Sequence, residues 1–246
     1  MDDNTKQYTR EEYVFLSKLY EKAERYHDMV YAIKSFISLD PCLTQEERMI
    51  LSAGYKNLLT HKKDSWRLMS TLLKKEDKPN PIEQSYLTES KLTLEKEILA
   101  LCDDIHCVID KHLLPNTEDI RAQVFYYKLK GDYHRYRCEY LSGSELDKVI
   151  QVTQKAYVTA MELANSAMDI INPIRLGLVL NYCVFQYEIQ GKKPQACEMA
   201  RASLNEVMNY MEEIEKEKMR DTLMLFNILK ENLFLWESEI SEDGHV

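Results

Sequence analysis

The sequence predicts an all-α protein, and three observations carry that reading. Gly and Pro number only 6 each in 246 residues, roughly half their usual joint share. Sheets need many Gly- and Pro-bearing turns, whereas long helices need few. What punctuation exists falls between long runs that carry helix start and stop signals. No stretch shows convincing strand alternation, and no strict internal repeat appears. The expected architecture is eight or nine antiparallel helices joined by short connections in a single bundle or solenoid-like domain.

The elements follow in order. Pro41 breaks the chain, and Thr44 caps a helix with Glu47 three residues later completing a capping box. That helix is expected to run to about Leu73. Pro79 and Pro81 end the next linker, before a helix to about Leu113. Pro115-Asn116-Thr117 reads as a turn, with Thr117 as N-cap and the charges of Glu118 and Asp119 suited to a helix N-terminus. Gly143 ends that helix and Ser144 caps the next. Asn172 is an N-cap followed by Pro173 at the first helical position. Gly191 is the residue just past a helix end, and Pro194 opens another helix. The last helix is expected to end near Trp236. Residues 1–237 then form one helical domain and 238–246 a short, acidic, flexible tail.

Composition narrows the function. Apolar residues are 45% and charged residues 30%, a globular balance. The formal net charge is −9, which disfavours nucleic acid and anionic lipid as bulk partners. Met1-Asp2-Asp3-Asn4 lacks the features of a signal peptide, and no apolar run is long enough to span a bilayer. The cysteines Cys42, Cys102, Cys107, Cys138, Cys183 and Cys197 are scattered and read as reduced and mostly buried. The expectation is a cytoplasmic protein, with a nuclear share allowed.

Four constellations could hold a ligand. Lys56 and Lys63 lie seven residues apart, which puts them about 20° apart on one helical face, and Arg67 is one turn on. The same spacing suits a solvated charged face. Lys128 and Arg135 repeat it within Lys128-Leu129-Lys130-Gly131-Asp132-Tyr133-His134-Arg135-Tyr136. Gly131 inside a helix costs roughly 1 kcal/mol against Ala, so it marks close packing. Aromatics that hold Arg135 and Tyr136 in place would prepare an anion site, since an Arg fork matches phosphate oxygens and a phenol adds a donor. A packed helix with snorkelling bases is the other reading. Asn181, Val184 and Glu188 form a mixed stripe on an apolar helix, and Met224, Ile228, Asn232 and Trp236 recur every four residues. An Asn on an apolar stripe needs a partner for both its donor and its acceptor. An extended peptide backbone supplies both, and so does a satisfied core.

Tyr55-Lys56-Asn57, Ser65-Trp66-Arg67, Lys128 to Tyr136, Pro173-Ile174-Arg175-Leu176-Gly177-Leu178 with Leu180-Asn181, and Glu231-Asn232-Leu233 with Leu235-Trp236 together resemble the signature segments of the 14-3-3 proteins. The resemblance runs from Ala23 to Trp236. It implies nine antiparallel helices in a cup-shaped domain, a homodimer, and an adaptor that grips phosphoserine or phosphothreonine segments of client proteins in an amphipathic groove. It puts phosphate binding on Lys56, Lys63, Arg135 and Tyr136, with Lys128 nearby. Peptide-backbone binding falls on Asn181 and Asn232, with Glu188 and Trp236 beside them. The apolar wall falls on Leu180, Gly177, Val184, Met224 and Ile228. Arg25, Asp28, Glu97 and Ser65 fall at the dimer seam.

The sequence departs from the family pattern in places. Lys63 stands where the family has Arg, and a Lys cannot make the bidentate fork. Ser90 and Thr93 stand where the seam usually carries Tyr and Lys. No Gly-rich phosphate loop follows a strand, and no nucleophile and base are suggested by spacing, so no enzyme and no cofactor are expected. Cys102, His106 and Cys107 lack the further ligands a zinc site needs. The rival reading is a tetratricopeptide-like scaffold for unmodified peptides, but no 34-residue period sustains it.

Overall fold

Side-chain caps set where the helices begin. The computed structural model describes residues 8–74, 80–211 and 220–243. Among them it has nine α-helices and no strand, the all-α class that the scarcity of Gly and Pro predicts. The chain forms two compact units, divided between Thr117 and Glu118, where the sequence reading expects one domain.

The first unit holds α1 (Arg10–Lys22), α2 (Tyr26–Leu39), α3 (Gln45–Lys74) and α4 (Pro81–Val108). Thr9 and Glu12 form a capping box on α1, and Asn80 and Glu83 form one on α4. Thr44 and Glu47 bond each other's backbone N–H groups at the start of α3, as their spacing predicts. No Gly or Pro marks the break between α1 and α2. It is made at Glu24, which takes a positive φ of 55°. After α4 the winding continues through a π turn, Ile109–Leu113, and a short 3₁₀ turn, Leu114–Asn116. Pro79 lies outside the described residues. Met29, Ile33, Phe36, Leu51, Tyr55, Ile98 and Ile105 are fully buried in the core.

Ion pairs tie α1 to α3, Lys18 with Glu46 and Arg10 with Glu47. Arg10 places Nη1 and Nη2 on the two carboxylate oxygens of Glu47, at 2.6 and 3.0 Å. Glu47 is only 6% exposed. Burial alone would raise its pKa, but the Arg10 bond and the Thr44 backbone and hydroxyl outweigh it and hold the carboxyl below its usual value. A lowered folded-state pKa stabilises above the unfolded value, and the gain is lost as pH falls through the folded one. We therefore expect Arg10→Ala to cost about 2 kcal/mol at pH 7 by leaving a buried carboxylate unpaired. The gap between variant and wild type should close below about pH 4. Urea melts at pH 7 and pH 3.5 measure it, and a gap that is the same at both would exclude Glu47 as the cause.

The second unit holds α5 (Ile120–Cys138), α6 (Gly143–Ala167), α7 (Pro173–Val184), α8 (Lys193–Met211) and α9 (Arg220–Asp243). Three boundaries differ from the sequence reading. Asp119, not Thr117, caps α5, its Oδ1 accepting from the Arg121 N–H at 3.0 Å. The short 3₁₀ turn absorbs the residues before it. α5 stops at Cys138, and Ser142, not Ser144, is the N-cap of α6, with Gly143 at φ 59°. The last helix does not end at Trp236 but continues to Asp243. The Tyr187 hydroxyl donates to Glu239 Oε2 at 2.7 Å, Arg201 pairs with Glu237, and Ile240 packs on the apolar cluster. These contacts hold a stretch whose composition reads as a polar tail. Asn172, Pro173 and the positive φ of Gly191 stand as expected.

Candidate functional site

The charged stretch of α5 is built around one carboxylate. Asp132 is 5% exposed. Its Oδ2 accepts from Lys128 Nζ at 2.7 Å, one turn earlier on the same helix. Its Oδ1 accepts from the Tyr157 hydroxyl of α6 and from Asn181 Nδ2 of α7, both at 2.7 Å. Three helices therefore meet at a single side chain. Gly131, beside it, is where α6 comes closest: a Cβ there would lie 2.6 Å from the Tyr157 ring. The Gly inside the aromatic run thus marks close packing, as the sequence predicts.

Arg135 and Tyr136 stand one turn further along α5. The Arg135 guanidinium lies 4.6 Å from the Tyr136 ring centroid, a cation–π contact, and Tyr136 meets Tyr133 edge-on at 5.5 Å. Burial would lower the Arg135 pKa, but the groups around it, Asp132 among them, more than offset it and hold it above the usual arginine value. The charge is therefore permanent. Its Nε has no acceptor among the described residues. Burial first, and Asp132 second, push the Tyr136 phenol up to about 12, so it remains a neutral O–H donor near pH 7. A fixed cation beside a fixed donor, stiffened by aromatic rings, suits an anion with several oxygens.

Residues from α7 and α9 flank this cluster. Gly177 stands where a Cβ would be 3.7 Å from Lys128 Cε and 3.6 Å from Leu225 of α9. Leu180 is buried and Val184 half-buried. Ile228 and Asn232 are half-buried, and Met224 is 65% exposed. An exposed Met near buried apolar neighbours is the kind of surface that waits for a partner.

Two expected groove residues sit differently from the others. Trp236 is 6% exposed and its indole stacks on Tyr187 at 4.7 Å, so most of its ring packs in the core. A spacing of four overshoots a turn by about 40°, so three steps carry Trp236 about 120° from Met224. Leu235, eleven residues from Met224 and about 20° away, is on the stripe instead, and it is 57% exposed. Sequence reasoning missed Leu235, and counting in elevens finds it. Glu188 is exposed but lies in a π turn, Phe185–Ile189, closed by the Gln190 N–H on the Phe185 carbonyl at 3.1 Å. It is therefore not in the α-helical register that i+7 from Asn181 assumes.

In the first unit, α3 carries Lys56, exposed, and Lys63, half-buried. Lys62 is committed to Glu97 at 2.6 Å and Arg67 to Asp64 at 3.2 Å. Arg25 bonds Asp28 at 2.6 Å and lies over the Tyr20 ring. The Ser65 hydroxyl donates to the His61 carbonyl of its own helix at 3.0 Å. Among the described residues, no helix is long and apolar enough to cross a membrane.

Comparison with known proteins points to one family. The model of the 14-3-3 protein family matches residues 16–237. 14-3-3-like protein C of Glycine max is 40% identical over 236 residues, covering 96% of this chain and 92% of that protein. 14-3-3-like protein GF14 epsilon of Arabidopsis thaliana is 38% identical, covering 96% and 93%. Protein BMH2 of Saccharomyces cerevisiae is 39% identical over 238 residues, covering 96% and 87%.

Proposed function

The chain belongs to the 14-3-3 family and is a phosphoserine- and phosphothreonine-peptide-binding adaptor, and from that premise we propose which of its residues bind. Arg135 and Tyr136 take the phosphate, with Lys128 nearby. Lys56 and Lys63 of α3 are phosphate-binding positions by the family resemblance. Asn181 and Asn232 bond the peptide backbone. Leu180, Gly177, Val184, Met224, Ile228 and Leu235 offer the apolar wall. The observation that supports this reading is the Asp132 hub, which holds the Lys128 ammonium and the Asn181 carboxamide on adjoining helices, one turn before Arg135.

Proteins of this family are adaptors, not enzymes, and they dimerise. We propose that this chain pairs with a second copy through Arg25, Asp28, Glu97 and Ser65, and that it works in the cytoplasm. Arg25–Asp28 and Lys62–Glu97 are already bonded within the chain. Such pairs must be exchanged or shared when a dimer forms, which lowers the net gain of the seam.

Calorimetry with one peptide in two states, phosphoserine and serine, tests the function. Charge-assisted hydrogen bonds contribute about 1.5–3 kcal/mol each. Loss of the phosphate should therefore weaken binding by roughly a hundredfold or more. Equal affinity for both peptides would overturn the reading and favour a scaffold for unmodified segments.

A further inference from the structure

Tyr157 lies at zero exposure on α6, out of reach of a peptide, yet it bears on two of the proposed binding residues. Its O–H donates to Asp132 Oδ1, the oxygen that also holds Asn181 Nδ2, and Asp132 stands one turn before Arg135 on α5. The Tyr157 ring has no room to swing. Gly131 bears no Cβ to push it away, and Tyr182 and Phe185 lie 5.5 and 5.7 Å from its centroid.

We propose that Tyr157 is a positioning residue that, through Asp132, holds the backbone-binding Asn181 in register with the phosphate-gripping Arg135 on the helix of Asp132. The inference rests on the phosphopeptide reading above and deepens it. The chemistry of the carboxamide explains what the lock achieves. Only the NH₂ end of Asn181 can face the Asp132 carboxylate, so the amide oxygen is turned away from it. That oxygen is then presented as an acceptor for a peptide N–H, and the orientation cannot flip while Asp132 stays ionised and in place. Tyr157 holds Asp132 in place. Burial first, and Asp132 second, keep the Tyr157 phenol protonated, so its donation to Asp132 persists. The distance between the phosphate site and the backbone acceptor is thereby fixed before a ligand arrives, which cuts the ordering cost of binding.

The test is a double-mutant cycle on the full chain, with phosphopeptide affinity read by calorimetry. Tyr157→Phe keeps the ring and removes one oxygen. It should weaken binding roughly tenfold, the lower end of what loss of a supporting partner costs at other ordered sites. In the Asn181→Ala background the same change should cost about twofold or less, because the group being positioned is gone. A merely structural role would cost the same in both backgrounds, and that result overturns the proposal. So does wild-type affinity in Tyr157→Phe. Should Tyr157→Phe fail to fold, Asp132→Leu, which accepts from neither Tyr157 nor Asn181, replaces it in the cycle with the same two outcomes. The wild-type chain is the control for the reading beneath: if it does not prefer the phosphopeptide, the proposed function fails, whereas a phospho-specific wild type with an indifferent Tyr157→Phe sinks this inference alone.

Discussion

Arg135→Ala should lower phosphopeptide affinity by a hundredfold or more while leaving the fold nearly intact. The guanidinium is charged at any ordinary pH, and the Tyr136 face limits its rotamers. It can thus present two parallel donors without losing much side-chain entropy at the moment of binding. Two charge-assisted bonds, at about 1.5–3 kcal/mol each, correspond to at least a hundredfold in affinity. The cost to stability should be about 1 kcal/mol or less, because Asp132 keeps the Lys128, Tyr157 and Asn181 donors. Arg135→Lys separates charge from shape. It keeps the cation but not the fork, and should lose about tenfold. Titrating both variants with the same phosphopeptide, alongside circular dichroism melts, decides the matter. Unchanged affinity in a folded Arg135→Ala would place the phosphate elsewhere.

The parts of this site legible in the sequence are those set by local chemistry. Gly131 among aromatics announces close packing because a missing Cβ has few other uses in a helix interior. The Asn172-Pro173 pair announces a helix start because each residue suits one position there. Lys128 and Asp132 are one turn apart, so their ion pair is a property of any α-helix that contains them.

What was not legible depends on partners far along the chain or on winding that no single residue signals. Nothing near Tyr157 in sequence says that its hydroxyl meets an Asp 25 residues earlier. The π turn at Phe185–Ile189 shifts Glu188 out of its assumed register. The acidic stretch after Trp236 stays helical because Tyr187, 52 residues before Glu239, donates to it. The stripe on α9 is hard to follow for a different reason, since a count in fours drifts around the helix and only a count in elevens stays on one face. The break at Glu24 carries no Gly or Pro, so its positive φ is set by the packing of α1 on α2 and not by residue type.

Asp132→Ala should be the most damaging single truncation for stability. The side chain is almost wholly buried and accepts from three donors on three helices. Its removal leaves the Tyr157 hydroxyl buried with one partner fewer, and leaves the Lys128 and Arg135 charges without their nearest carboxylate. Breaking a buried charge pair in this one-sided way costs about 3–5 kcal/mol, and here a single carboxylate serves donors from three helices. Two effects on binding oppose each other. Deleting a negative charge near the proposed phosphate site strengthens long-range attraction for an anion. Releasing Asn181 from its anchor removes the fixed geometry. The second effect should win for a peptide, because attraction is screened by salt at distances of about 8–10 Å while hydrogen bonds at contact are not. Asp132→Asn distinguishes them, since it removes the charge but keeps an oxygen where Tyr157 and Asn181 donate. It should melt between the wild type and Asp132→Ala and should retain more phosphopeptide affinity than Asp132→Ala. If instead Asp132→Ala melts with the wild type, the three short bonds to this carboxylate contribute nothing net, and α5, α6 and α7 are held together by their apolar faces alone.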